Sequence, residues 1–114
     1  MTDIDILMTA IGMPDFTGRP FLTAAIELGL SDAFALDCIT KWAYRDIARQ
    51  FGVGYTTVER NMRHVIKRWW LSGGGNRFEE LTGVKFYKRP ANRVFLLAVV
   101  DVLRYQGVYV LGLI

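Results

Sequence analysis

Residues 46–62 read "DIARQFGVGYTTVERNM", and their spacing sets the expected fold. Ile47–Ala48, Gly52–Val53 and Val58 stand at the intervals of two helices joined by a tight turn. The small Ala48 permits close approach, Gly52 permits the turn, and Val58 packs the second helix onto the first. This is helix-turn-helix spacing. Asn61 departs from it, because that position is usually apolar, so Met62 is expected to take over the inward role.

The second helix continues to Trp70 through "YTTVERNMRHVIKRWW", residues 55–70. At 100° per residue, Val58, Met62, Val65, Ile66 and Trp69 fall on one side, while Arg60, Arg63, His64 and Lys67 fall opposite, flanked by Thr56 and Thr57. The apolar half anchors the helix and the basic half faces away from the core.

Outward from this segment, helical signals dominate. "DIDILMTAIG" puts Ile4, Leu7, Met8 and Ile11 on one face, with Thr2 or Asp3 as N-cap and Gly12 at its end. Pro20 suits the first turn of a second helix carrying Leu22, Ala25, Ile26 and Leu28, with Gly29 near its end. A short third helix is expected over 33–41, with Phe34 and Ile39 inward. "YRDIARQF" makes the fourth, "SGGG" ends the fifth, and "RFEELTG" offers one or two turns. Residues 84–89 have extended character, but one such run cannot make a sheet. "PANRVFLLAVVDVLRYQG" supplies the last helix, with Asn92 as its cap and Gly107 after its end. The expected fold is all-α, a compact bundle of about six helices containing a helix-turn-helix. It occupies 1–107, followed by an apolar C-terminal tail over 108–114.

A chain of 114 residues suffices for one core. Cys38 is the single cysteine; no disulfide can form within the chain, which favours a reducing, cytoplasmic setting. Cys38 is expected to act as a small buried hydrophobe. The N-terminus carries Asp3 and Asp5 where a signal peptide would carry a basic region. Although the C-terminal run is strongly apolar, Asp101 and Arg104 would lie within any membrane span, at roughly 2.5–3.5 kcal/mol each near its centre. No membrane segment is expected.

The net charge of +3 is unevenly distributed. Residues 1–40 hold one basic and six acidic residues, residues 41–70 seven and two, and residues 71–114 six and three. An electropositive centre fits a partner bearing phosphates. In helix-turn-helix geometry the N-terminal part of the second helix enters the major groove. Arg60 and Arg63 can each fork onto guanine, and Glu59 can accept from cytosine or pair with Arg63 one turn on. Thr56, Thr57, His64, Lys67 and Arg68 are the candidates for backbone contacts. Tyr55, Thr56 and Thr57, at the helix entrance, suit either a phosphate or simple N-capping. His64 has no partner at metal-ligand spacing, so no metal site is expected. "SGGG" lacks the strand and the GK[ST] of a phosphate-binding loop. No catalytic set and no cofactor or small-molecule motif is present, and an enzyme is not expected.

Four stretches then point to a family: "IGMP" (11–14), "CITKWAYRDIARQF" (38–51), "VERNMRHVI" (58–66) followed by Trp69, and "KRPANRVFLLAVVDVLR" (88–104). Over about residues 4–104 the chain resembles the C-terminal DNA-binding effector domain of the sporulation master response regulator of bacilli and clostridia, the stage 0 sporulation protein A family. The resemblance implies an all-α bundle that binds double-stranded DNA at a short promoter box similar to TGTCGAA, as a homodimer on tandem sites. It also implies DNA contacts by Glu59, Arg60 and Arg63, the Glu and both Arg of the family's VER-x-x-R pattern. The family often has a further basic residue where Thr57 stands. Its members carry an N-terminal receiver domain, for which 114 residues leave no room, so an excised or a free-standing effector domain is expected. The ending "VYVLGLI" lacks the family's charged character and reads either as a loose tail or as an apolar lip for self-association. The expected function is sequence-specific transcription regulation. The alternative is a protein-interaction module that pairs with a full-length relative and modulates its DNA binding.

Overall fold

A computed structural model describes all 114 residues as α-helices joined by short connections, with no strand. Helix α1 spans Asp3–Ala10. It starts with a capping box: the Asp5 N–H donates to Thr2 Oγ1 (3.2 Å) and the Thr2 N–H to the Asp5 carboxylate (3.4 Å). Ile4, Leu7, Met8 and Ile11 are buried, as the periodicity requires.

Helix α2, Gly18–Ser31, carries Pro20 in its first turn and buries Phe21, Leu22, Ala25 and Ile26. Gly18 governs how closely it approaches the helix that follows the tight turn. A Cβ there would fall onto the backbone carbonyl of Asn61, so only glycine lets the start of α2 lie against the middle of the fifth helical segment.

The expected third helix over 33–41 is not formed. Residues 33–39 make successive turns, started by the Asp32 carboxylate accepting from the Phe34 N–H (2.9 Å). A π-helical turn, Thr40–Tyr44, then feeds directly into helix α3, Arg45–Phe51. The wider π turn rotates the side chains away from the 3.6-residue pattern. Phe34, in the turns before it, is 75% exposed rather than inward, Ile39 is half-buried, and Ala43 and Tyr44 enter the core instead. Cys38 also lies in these turns and is exposed, which corrects its expected burial.

Helix α3 ends at Gly52, whose φ of 67° is the left-handed conformation that glycine adopts without steric cost. Helix α4, Tyr55–Leu71, follows after Val53 and Gly54. Ala48 and Val58 are both buried where the two helices meet. Met62 is fully buried, and Asn61 turns its amide back onto its own helix, donating to the Thr57 carbonyl at 2.9 Å.

Beyond α4, "SGGG" does more than end a helix. Gly73 makes the turn, but Gly74 and Gly75 already belong to helix α5, Gly74–Thr82. A Cβ at either position would collide with the indole of Trp69 or of Trp70. Residues 84–91 form no regular element. Helix α6, Asn92–Tyr105, takes Ala91 as its N-cap, so Asn92 is the first helical residue and not the cap. A short helix α7, Gly107–Val110, follows. Val108 is buried, and Leu111 and Leu113 pack against the core.

Trp69 sits at the centre, fully buried. Its ring meets Phe78, Phe86 and Phe95 edge-on, and its indole N–H donates to the Ile11 carbonyl at 2.8 Å. No helix is long and apolar enough to cross a membrane.

Candidate nucleic-acid interface

With Val58, Met62, Val65, Ile66 and Trp69 committed to the core, α4 presents its other face to solvent. Thr56, Arg60, Arg63, His64, Lys67 and Arg68 are all exposed, and Glu59 and Thr57 are half-buried at the edges. From Thr56 to Lys67 the stripe runs about 16 Å at the usual helical rise. Glu59 is the only carboxylate on it. The Arg63 guanidinium lies 3.6 Å from that carboxylate, with side-chain exposures of 53% and 36%. An exposed i,i+4 pair of this kind is worth about 0.3–0.5 kcal/mol, so it orients Arg63 without holding it back from a stronger acceptor.

The start of α4 resolves the two readings of Tyr55, Thr56 and Thr57 in part. Gly54 is the N-cap and no side chain caps the helix. The first-turn N–H groups are therefore left without a side-chain acceptor, while the Tyr55 ring carries the Arg45 guanidinium at 4.6 Å. On one flank of the stripe, the Arg68 guanidinium stacks at 4.3 Å on Phe16, and His64, Arg68, Phe16 and Thr17 line one shallow groove. Stacking leaves the guanidinium's in-plane N–H groups free to donate.

The other flank holds residues to which the sequence assigned no role at this face. Asn92 is 7% exposed and its amide donates to the Tyr44 hydroxyl (2.9 Å) and to the Glu59 carbonyl (3.1 Å). One side chain thus ties α6, the end of the π turn and α4 together beside the exposed cationic face. Its position before a helical run suggests a cap; only the packing of three elements reveals the bridge. Lys88, Arg89 and Arg93 stand beside it, joining Arg63 around a groove of about 610 Å³. In the sequence these three cations fall outside the amphipathic pattern of α4, which is why periodicity does not find them.

Burial pushes the Tyr44 phenol above its ordinary value and Glu59 adds to this, whereas the Asn92 hydrogen bond and Arg63 act in the opposite sense. The folded state thus holds this proton more tightly than the unfolded chain does. Its contribution to stability is complete below the ordinary phenol value near 10 and is lost as pH rises beyond it. Between about pH 9 and pH 11, denaturant unfolding should show wild type losing more stability than Tyr44→Phe. Parallel losses would mean that Tyr44 is not the group responsible. At neutral pH the variant should be less stable by about 1 kcal/mol, for the lost hydrogen bond.

An all-helical domain whose helix-turn-helix turns an exposed cationic face outward belongs to the class of helix-turn-helix DNA-binding domains. Within that class, the family model described as the C-terminal domain of the sporulation initiation factor Spo0A matches residues 4–103. The chain belongs to this family of DNA-binding effector domains of sporulation regulators.

Proposed function

We propose that this chain is a sequence-specific transcription regulator, acting on double-stranded DNA in the cytoplasm without enzymatic activity. Glu59, Arg60 and Arg63 read base edges in the major groove. Thr56, Thr57, His64, Lys67 and Arg68 hold the phosphate backbone. The observation that carries this reading is the solvent face of α4, where five cationic or histidine side chains stand exposed around one carboxylate. Such an arrangement does nothing for the core and is costly to assemble unless an anion neutralises it. The promoter box is expected to be similar to TGTCGAA.

A second reading, pairing with another copy or with a full-length relative, is favoured by the exposed Tyr105, Tyr109 and Val110 near the C-terminus. The apolar stretch 108–114 would then supply a lip for association, on or off DNA.

Selection from a pool of randomised duplexes with the purified chain tests the main reading and yields a cognate box for later measurements. On that box, Lys67→Ala should lower the slope of log affinity against log salt by up to about one unit, the contribution of one neutralised phosphate. The ratio of cognate to scrambled affinity should hardly change. If selection recovers no preferred sequence, the pairing reading prevails.

A further inference from the structure

The groove on the α6 side of α4 is a site in its own right. It is bounded by Thr40 and Tyr44 on one side, by Glu59 and Arg63 of α4 on another, and by residues 88–93 on the third. Four cations line it against the single carboxylate of Glu59. They are not equivalent. Arg93 is spoken for: its Nε donates to the Leu36 carbonyl at 2.8 Å and its guanidinium lies 3.6 Å from Asp37. Arg63 leans on Glu59. Lys88 and Arg89 are exposed and form neither an ion pair nor a hydrogen bond. Two uncompensated charges therefore stand at the mouth of the groove.

They do not sit on a loose loop. Pro90, the next residue, is buried, Asn92 is bound to Tyr44 and Glu59, and Arg93 is pinned to the turns at 36–37. The segment is thus anchored at a set distance from α4. Asn92 holds the Glu59 carbonyl, one turn before Arg63, so an anion bound by Lys88 and Arg89 lies next to the reading edge.

We propose that Lys88 and Arg89 form a phosphate clamp that receives the DNA backbone flanking the box read by α4. This rests on the DNA-reading function proposed above and extends it to a surface outside the helix-turn-helix. The clamp contributes sequence-independent affinity beside the bases that Arg63 reads. Neither cation has a base edge to read, because the groove lies beside the helix and not at its outward face.

The test compares wild type with the double variant Lys88→Ala/Arg89→Ala on a selected cognate duplex and on its scrambled counterpart, each over a range of salt. Both side chains are exposed, so thermal melting should be unchanged. The expected slope is lower than wild type by about one to two units, since each phosphate contributes about 0.9. Between 50 and 200 mM salt the double variant should therefore lose roughly four- to sixteenfold less affinity than wild type. The ratio of cognate to scrambled affinity should be preserved. Replacing single flanking phosphates with uncharged methylphosphonates should weaken wild type at one or two positions and leave the double variant indifferent there. The charge-conserving exchange Lys88→Arg/Arg89→Lys should restore the slope. A double variant with the full wild-type slope, or with equal sensitivity to every methylphosphonate, overturns the clamp while leaving DNA reading by α4 intact. Wild type that binds neither duplex overturns the reading itself, and the clamp with it.

Discussion

Replacing Arg63 with alanine should weaken binding to a cognate duplex by roughly ten- to a hundredfold, the discrimination expected from one bidentate arginine–guanine contact. Binding to scrambled duplex should fall far less. The side chain is half exposed and its one ionic partner is Glu59 at 3.6 Å, so the free protein gains little from it. Stability should stay within about 0.5 kcal/mol of wild type. Loss of affinity without loss of stability separates a reading residue from a structural one. Titrations of both proteins on both duplexes at one fixed salt concentration check the result. Equal losses on cognate and scrambled DNA would make Arg63 a phosphate contact only. Arg63 also borders the groove of Lys88 and Arg89, so these outcomes further distinguish base reading from backbone clamping at the boundary of the two surfaces.

Trp69→Ala should have the opposite profile, a large loss of stability that precedes any loss of binding. Removing a fully buried aromatic ring typically costs about 3–5 kcal/mol. Three edge-on aromatic neighbours and a 2.8 Å hydrogen bond to the Ile11 carbonyl place this site at the upper end. At about 4 °C per kcal/mol for a domain of this size, the melting temperature should fall by roughly 12–20 °C. Trp69→Phe keeps most of the ring but leaves the Ile11 carbonyl without its donor. It should cost less, about 1–3 kcal/mol. Thermal denaturation followed by circular dichroism checks both. A shift of only a few degrees for Trp69→Ala would mean that Phe78, Phe86 and Phe95 close over the void.

These two residues lie six positions apart on one helix, and their contrast reflects what a sequence carries. The helix-turn-helix, the buried stripe from Val58 to Trp69 and the outward basic face were all legible, because a regular helix turns a 3.6-residue pattern directly into two faces. Ala48, Gly52 and Val58 act where their spacing placed them. The Thr2–Asp5 capping box was half visible, in the choice between Thr2 and Asp3 as cap. Each depends on residues a few positions apart, whose relation the backbone itself imposes.

What failed to show was whatever depends on elements distant in the chain. The helix expected over 33–41 gives way to turns and a π-helical segment that ends on Tyr44, whose hydroxyl accepts from Asn92, 48 residues on. No local pattern encodes that contact. Phe34 and Cys38, in the turns before it, face solvent, although hydrophobicity alone would bury them. Gly74 and Gly75 continue into α5 because Trp69 and Trp70 occupy the space of a side chain. Asn92 resembles a cap in the sequence and proves to be a three-way bridge. Lys88 and Arg89 gain their meaning only from the groove that α4 and the π turn complete. By itself, then, the sequence determined the amphipathic helix α4 and which of its faces is free. Only the tertiary structure decided what stands beside that face, because hydrogen bonds and charges across long chain separations leave no period to read.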